Sequence, residues 1–204
     1  MQGSLDKTTP TIAQPLLGAL ALVFLSVFLM SPVYAHHPFE GQTASFNFLQ
    51  GLISGLAHPV LGVDHCLFLL SIGFAGFSST RKTIILLLGT ALFGSLLGLG
   101  LPQIPGTEIL MALSLVVSAF VAMGRLSLGV MFPLLFAHGY VLSGVMVGVE
   151  PTPLLAYFIG LFSSEFLVVS VGMFFLRYLA DRKNLIAGIL IGVGFALTYG
   201  LIVV

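Results

Sequence analysis

What this sequence has least of is charge. Only 7% of its 204 residues are Asp, Glu, Lys or Arg, whereas a soluble domain carries about 25%. Hydrophobic residues make up 58% and the mean hydropathy is +1.15. That composition excludes an ordinary soluble domain and implies a polytopic protein of the lipid bilayer. An excess of either sign is also missing, since seven basic residues face seven acidic ones. Neither nucleic acid nor an acidic partner is implied. The single cysteine, Cys66, rules out an intrachain disulfide and says little about redox compartment. No Gly-x-x-x-x-Gly-Lys-Ser/Thr loop is present, so the chain has no recognisable ATP motor, and no serine-protease or zinc-protease motif appears.

Glycine, by contrast, is plentiful, with 24 residues. Gly94 and Gly98, Gly144 and Gly148, and Gly188 and Gly192 stand four apart, as do Gly160 and Ser164. That spacing lets helix backbones approach closely in lipid. It serves a compact bundle or a homo-oligomer contact, and the spacing alone does not separate the two. Hydropathy predicts six transmembrane helices near 59–77, 83–101, 107–124, 127–148, 153–176 and 185–204, an all-α membrane helix bundle. Arg81, Lys82, Arg125, Arg177, Arg182 and Lys183 fall on one side of an alternating threading. The other side carries Pro102, Pro105, Glu108, Glu150, Pro151 and Pro153 without Lys or Arg. The positive-inside rule makes the basic side cytoplasmic and turns both mature termini outward, in an inner (plasma) membrane.

Three regions are expected. Residues 1–35 read as a signal peptide, with an apolar core from Leu16 to Met30 and, in Val33-Tyr34-Ala35, a small residue at the cleavage position and at the position two before it, giving cleavage after Ala35. An uncleaved first helix is the alternative. Residues 36–57 form an external segment. His36 would become the new N-terminus, where amine and ring can chelate together, with His37 beside it; a solvated tail is the plain alternative. The apolar piece 46–57 is too short to span and reads as interfacial, re-entrant or an extension of the next helix. Residues 58–204 hold the six-helix domain.

Polar ligands concentrate in His58-Pro59-Val60-Leu61-Gly62-Val63-Asp64-His65. A carboxylate beside apolar sequence is costly unless paired, solvated or bound to a cation. Imidazole and carboxylate suit divalent nickel, cobalt, zinc and iron. One ion held by His58, Asp64 and His65 requires a bend, for which Pro59 and Gly62 are placed, Pro59 in the first turn of a new helix and Gly62 as a residue free to take unusual dihedrals. The plainer reading is a helix-capping His58 and a locally paired Asp64. A second cluster comprises His138 and Glu165. They lie 13 residues before and 14 after Pro151, hence at one depth if the two helices form a hairpin. They read as an ion relay or as an internal brace. Cys66 and Tyr140 read first as packing residues.

The eight-residue stretch resembles the signature of the HupE/UreJ family of bacterial membrane proteins, which is associated with nickel or cobalt uptake. The His138-Gly139 pair looks like a family feature too, and the layout is most like the cyanobacterial members. The family often has further histidine or acidic residues close after that pair; here Tyr140 to Gly144 follow without one. The resemblance implies a permease, not an enzyme, that moves Ni²⁺ or Co²⁺ into the cytoplasm as cargo, with no permanently bound cofactor. A membrane-embedded metalloenzyme and a non-transporting subunit binding haem or pigment are the alternatives.

Overall fold

The computed structural model describes residues 47–76, 80–102, 104, 106–146 and 151–203, all within one compact unit, Ala35–Val204. The expected signal, its cleavage site, His36, His37, Gly148 and Glu150 lie outside the described residues. What is described is an all-α membrane protein without strands. Its helices are α1 (Phe48–Leu61), α2 (Val63–Ala75), α3 (Arg81–Gly98), α4 (Thr107–Ala122), α5 (Met131–Leu142), α6 (Pro151–Leu179) and α7 (Lys183–Val203). Short 3₁₀ turns flank α5 on both sides and join α6 to α7.

Local chemistry explains several boundaries. Asn47 and Gln50 exchange two 2.9 Å hydrogen bonds in a capping box that starts α1. Thr80 caps α3 through the Thr83 amide. Gly106 and Gly124 bracket α4 with positive φ, a conformation glycine adopts freely. Outward faces carry Leu86, Phe93, Leu96, Leu167, Phe174 and Ile202, all exposed, which suits lipid and not water. Buried hydroxyls are spent on the preceding turn, as in Ser71 to the Phe68 carbonyl and Ser114 to that of Met111.

Three helical stretches are long and apolar enough to cross a membrane: Arg81–Gly98, Pro151–Phe175 and Ala180–Ile202. The bent pair α1–α2 makes a fourth if it is one span, while Thr107–Ala122 and Leu128–Leu142 are apolar but shorter. Helix contacts decide how the bent pair runs. A Cβ on Gly51 would strike the Pro153 backbone, one on Gly55 that of Tyr157 and Leu161, and one on Gly160 that of Leu52 and Leu56. As α1 advances, so does its partner on α6, so the two run parallel. Further on, α2 crosses α6 where Gly73 meets Val169 and Met173, and Gly172 meets Leu70. From Pro153 to Met173 is about 30 Å along α6, the thickness of the hydrocarbon layer. The pair α1–α2 follows α6 across that whole length, which is the path of one broken span and not of a loop that turns back.

The helices α3 and α5 pair in the same way. Gly94 faces the Phe136 backbone and Gly98 that of Tyr140, again a parallel register, and the Ser95 hydroxyl donates to the Gly139 carbonyl at 2.8 Å. α4 packs against α7 and α2. The expected Gly94/Gly98 and Gly160 contacts are therefore present. Gly188 and Gly192 are different: none of the described residues lies within 4 Å of a Cβ at either. Their spacing matches the others, but α7 turns them away from the other described helices.

Candidate metal centre

The bent span organises the site. α1 continues through Pro59, in its last turn, and ends at Leu61; the chain bends by 75° between Phe48–Leu61 and Asp64–Ala75. Pro59 thus sits three residues before the break and not in the first turn of a new helix. It has no N–H to give the carbonyl of Gly55, which weakens the end of α1. Gly62, at φ −76° and ψ 105°, adopts a backbone open to any residue. Its missing side chain matters for a different reason. A Cβ there would come 2.9 Å from Nδ1 of His65 and 3.3 Å from Oδ1 of Asp64. Glycine makes room for the pair formed by those two side chains.

That pair is a 2.9 Å hydrogen bond from His65 Nδ1 to the Asp64 carboxylate. Asp64 stands in the first turn of α2, where the positive end of the helix dipole favours a carboxylate. Its side chain is 32% accessible against 8% for His65, so Asp64 is the more exposed member of the pair and His65 the buried one. In a straight helix residues 58 and 65 would be about 10.5 Å apart along the axis. The bend brings their ring centres to 5.8 Å. His58 also meets the Tyr157 ring edge to face, at 6.4 Å.

His138 joins from α5. Its ring centre is 5.4 Å from that of His65, and it stacks on Phe68 at 3.8 Å with 14° between planes. Its Nδ1 lies 3.3 Å from the Leu134 carbonyl oxygen. A carbonyl only accepts, so Nδ1 is the donor, and in the neutral ring Nε2 keeps the lone pair. The Asp64 carboxylate fixes His65 in the same tautomer. Among the described residues neither buried Nε2 atom meets a hydrogen-bond partner, nor does Oε2 of Glu165. Metal-binding histidines are commonly held this way, one nitrogen tied to a carboxylate or carbonyl and the other left for the ion.

Two imidazoles bound to one ion at about 2.0–2.1 Å place their ring centres about 4.5 Å apart at a right angle and about 5.2–5.5 Å apart at tetrahedral or trigonal angles. The His65–His138 spacing falls in the second range and the His58–His65 spacing just beyond it. Among the described residues, no three His, Cys, Asp or Glu side chains converge as a complete ligand set. The imidazoles stand as a row of two overlapping pairs, with His65 common to both.

Glu165 is 1% exposed on α6. It lies between the part of α6 that meets Gly55 and the part that meets Gly73, hence at the depth of the break. It does not brace His138. α5 has α3 as its main neighbour, while α6 packs on α1 and α2, so the consecutive helices are not the close hairpin that the short connection suggests. They touch near the turn, where the Tyr157 hydroxyl donates to the Leu142 carbonyl at 3.2 Å and Leu142, Met146, Tyr157 and Leu161 pack together. Arg81, Lys82, Arg125, Arg182 and Lys183 are all exposed, so none of these cations neutralises Glu165. Tyr140 is occupied elsewhere, its hydroxyl donating to the Pro102 carbonyl. Cys66 is a partly buried free thiol. Phe68 is the contributor that sequence reasoning missed; its place three residues after His65, on the same helical face, was the available signal.

A family model described as HupE / UreJ protein matches residues 22–202 of this chain. No curated protein and no solved structure matches it.

Proposed function

The chain belongs to the HupE/UreJ family, which is associated with nickel and cobalt transport, and from that premise we propose that it is a permease carrying Ni²⁺ or Co²⁺ into the cytoplasm. The observation that carries this reading is the pair of buried, unpartnered Nε2 atoms on His65 and His138 beside a broken membrane helix. Broken helices in transporters set ion ligands at mid-membrane in this manner. His36 and His37 collect the ion outside. Asp64 offsets its charge, and His58 and His65 replace part of its water. The ion then moves to His65 and His138 while His65 stays bound, and Glu165 supplies the next carboxylate. Neutral imidazoles give strong but exchangeable bonds, and carboxylates compensate the dication in low dielectric. The ion is cargo, no bond in it is made or broken catalytically, and no resident cofactor takes part.

The threading belongs to the same proposal. Six crossings, with α1–α2 as the first, make the first and fifth parallel and the second and fourth parallel, in keeping with the glycine registers above. The loops with Arg81 and Lys82 and with Arg182 and Lys183 face the cytoplasm, and both mature termini face outward.

Uptake of radioactive nickel or cobalt into vesicles tests the reading at subsaturating metal and matched protein levels. Asp64→Asn keeps the shape, removes the charge and is expected to abolish uptake. His58→Ala is expected to weaken uptake several-fold, because it removes the outer member of the row and leaves the His65–His138 pair. Wild-type rates in Asp64→Asn would overturn the proposal.

A further inference from the structure

We propose that Phe68 is a positioning residue, holding the His138 ring so that its Nε2 is offered to the ion beside His65; this rests on the permease reading above. Phe68 is 0% exposed, and its ring lies nearly parallel to His138 at 3.8 Å. Besides its edge-to-face contact with His65, that imidazole has, among the described residues, one polar tether, the 3.3 Å contact to the Leu134 carbonyl, at the long end of hydrogen-bond distances. One such contact at one ring atom leaves the imidazole free to pivot about it. A flat ring packed against its face removes that freedom, because rotation would drive imidazole edges into Phe68.

Phe68 has a second role through its placement. It stands on the α2 face that also carries His65, while α5 is held chiefly by α3. The ring contacts His65–His138 and Phe68–His138 therefore bridge two helices whose main packing lies elsewhere. Because Phe68 and His65 ride on one helix, the stack also sets how far His138 stands from His65. A ligand oriented before the ion arrives binds it without a further ordering cost.

The test uses the full chain in nanodiscs, titrated with Ni²⁺ and with Co²⁺, with the ion-induced rise in Tm as readout and vesicle uptake alongside. Phe68→Leu keeps an apolar side chain and removes the flat ring; its expected effect is about a tenfold higher metal concentration for half the rise, the lower end of what supporting residues around metal ligands show. Phe74→Leu, a buried residue on the same helix, is expected to leave that midpoint unchanged. In a His138→Ala background, adding Phe68→Leu should shift the midpoint no further. An unchanged midpoint in Phe68→Leu, or an equal shift with and without His138, would overturn the inference by reducing Phe68 to core packing. If Phe68→Leu accumulates poorly, Phe68→Met carries the same comparison. A wild-type protein with neither Tm rise nor uptake would instead overturn the permease reading itself.

Discussion

α3 against α5 and the bent span against α6 are built on the same plan. Both are parallel helix contacts in which glycines let backbones touch. They differ in what becomes of their polar groups. In the first, the Ser95 hydroxyl crosses the contact to the Gly139 carbonyl and Ser143 turns back to Tyr140. Beside the bent span, His65, His138 and Glu165 each keep a buried atom without a partner among the described residues. A chain this apolar can satisfy the buried hydroxyls of α3–α5, and the atoms left unpaired at the break are what supports the proposed ion site.

Substitutions can break this contrast from either side. The largest effect is expected at Gly139. A side chain there collides with the Ala91 backbone, so Gly139→Val should leave almost no folded protein in the membrane, as seen by immunoblot and size exclusion. Gly188→Val, which meets open space, should accumulate normally. The next largest belongs to Gly62→Ala. The helix ends and the backbone angles tolerate alanine, but its Cβ displaces the Asp64–His65 pair. Membrane levels should hold while uptake falls about tenfold, in the range seen when groups supporting metal ligands are lost. The smallest is Ser95→Ala, which removes one interhelical hydrogen bond worth about 1 kcal/mol. It should lower Tm by a few degrees and leave the metal concentration for half-maximal uptake unchanged. Should Ser95→Ala impair uptake as strongly as Gly62→Ala, the distinction between a structural contact and an ion site would be lost.

Much of this was legible in the sequence because lipid is an intolerant solvent. Asp64 and His65 stood out since apolar sequence surrounds them, and the need for a bend followed from helix rise alone. The reason Gly62 permits the site was not legible, because the constraint is a close approach by two side chains and not a dihedral angle. Pro59 was misplaced by a few residues, since a proline suits a helix start and can also stand near a helix end. The reading of His138 and Glu165 as an internal brace failed because a short connection does not oblige helices to pack closely. The glycines on α3 and α5 give α5 a different main neighbour. Gly188 and Gly192 carry the same spacing as Gly94 and Gly98, and only the fold reveals which face meets a helix. Phe68 gave no polar signal at all.

The shared course of α1–α2 and α6 has one more consequence. A bent rod fastened near both tips to a long uninterrupted one makes an arch. The footings are the glycine contacts around Gly51 and Gly55 at one end and Gly73 and Gly172 at the other. With both feet planted, the crown has to stand away from α6, and a bend of 75° fixes roughly how far. Room for the buried rings of His65 and Phe68 and for Glu165 then needs no missing bulk in the core and no separation of whole helices. It comes from the curvature of a single segment, so the same residues that tighten the bundle at its ends leave its middle to the buried polar groups.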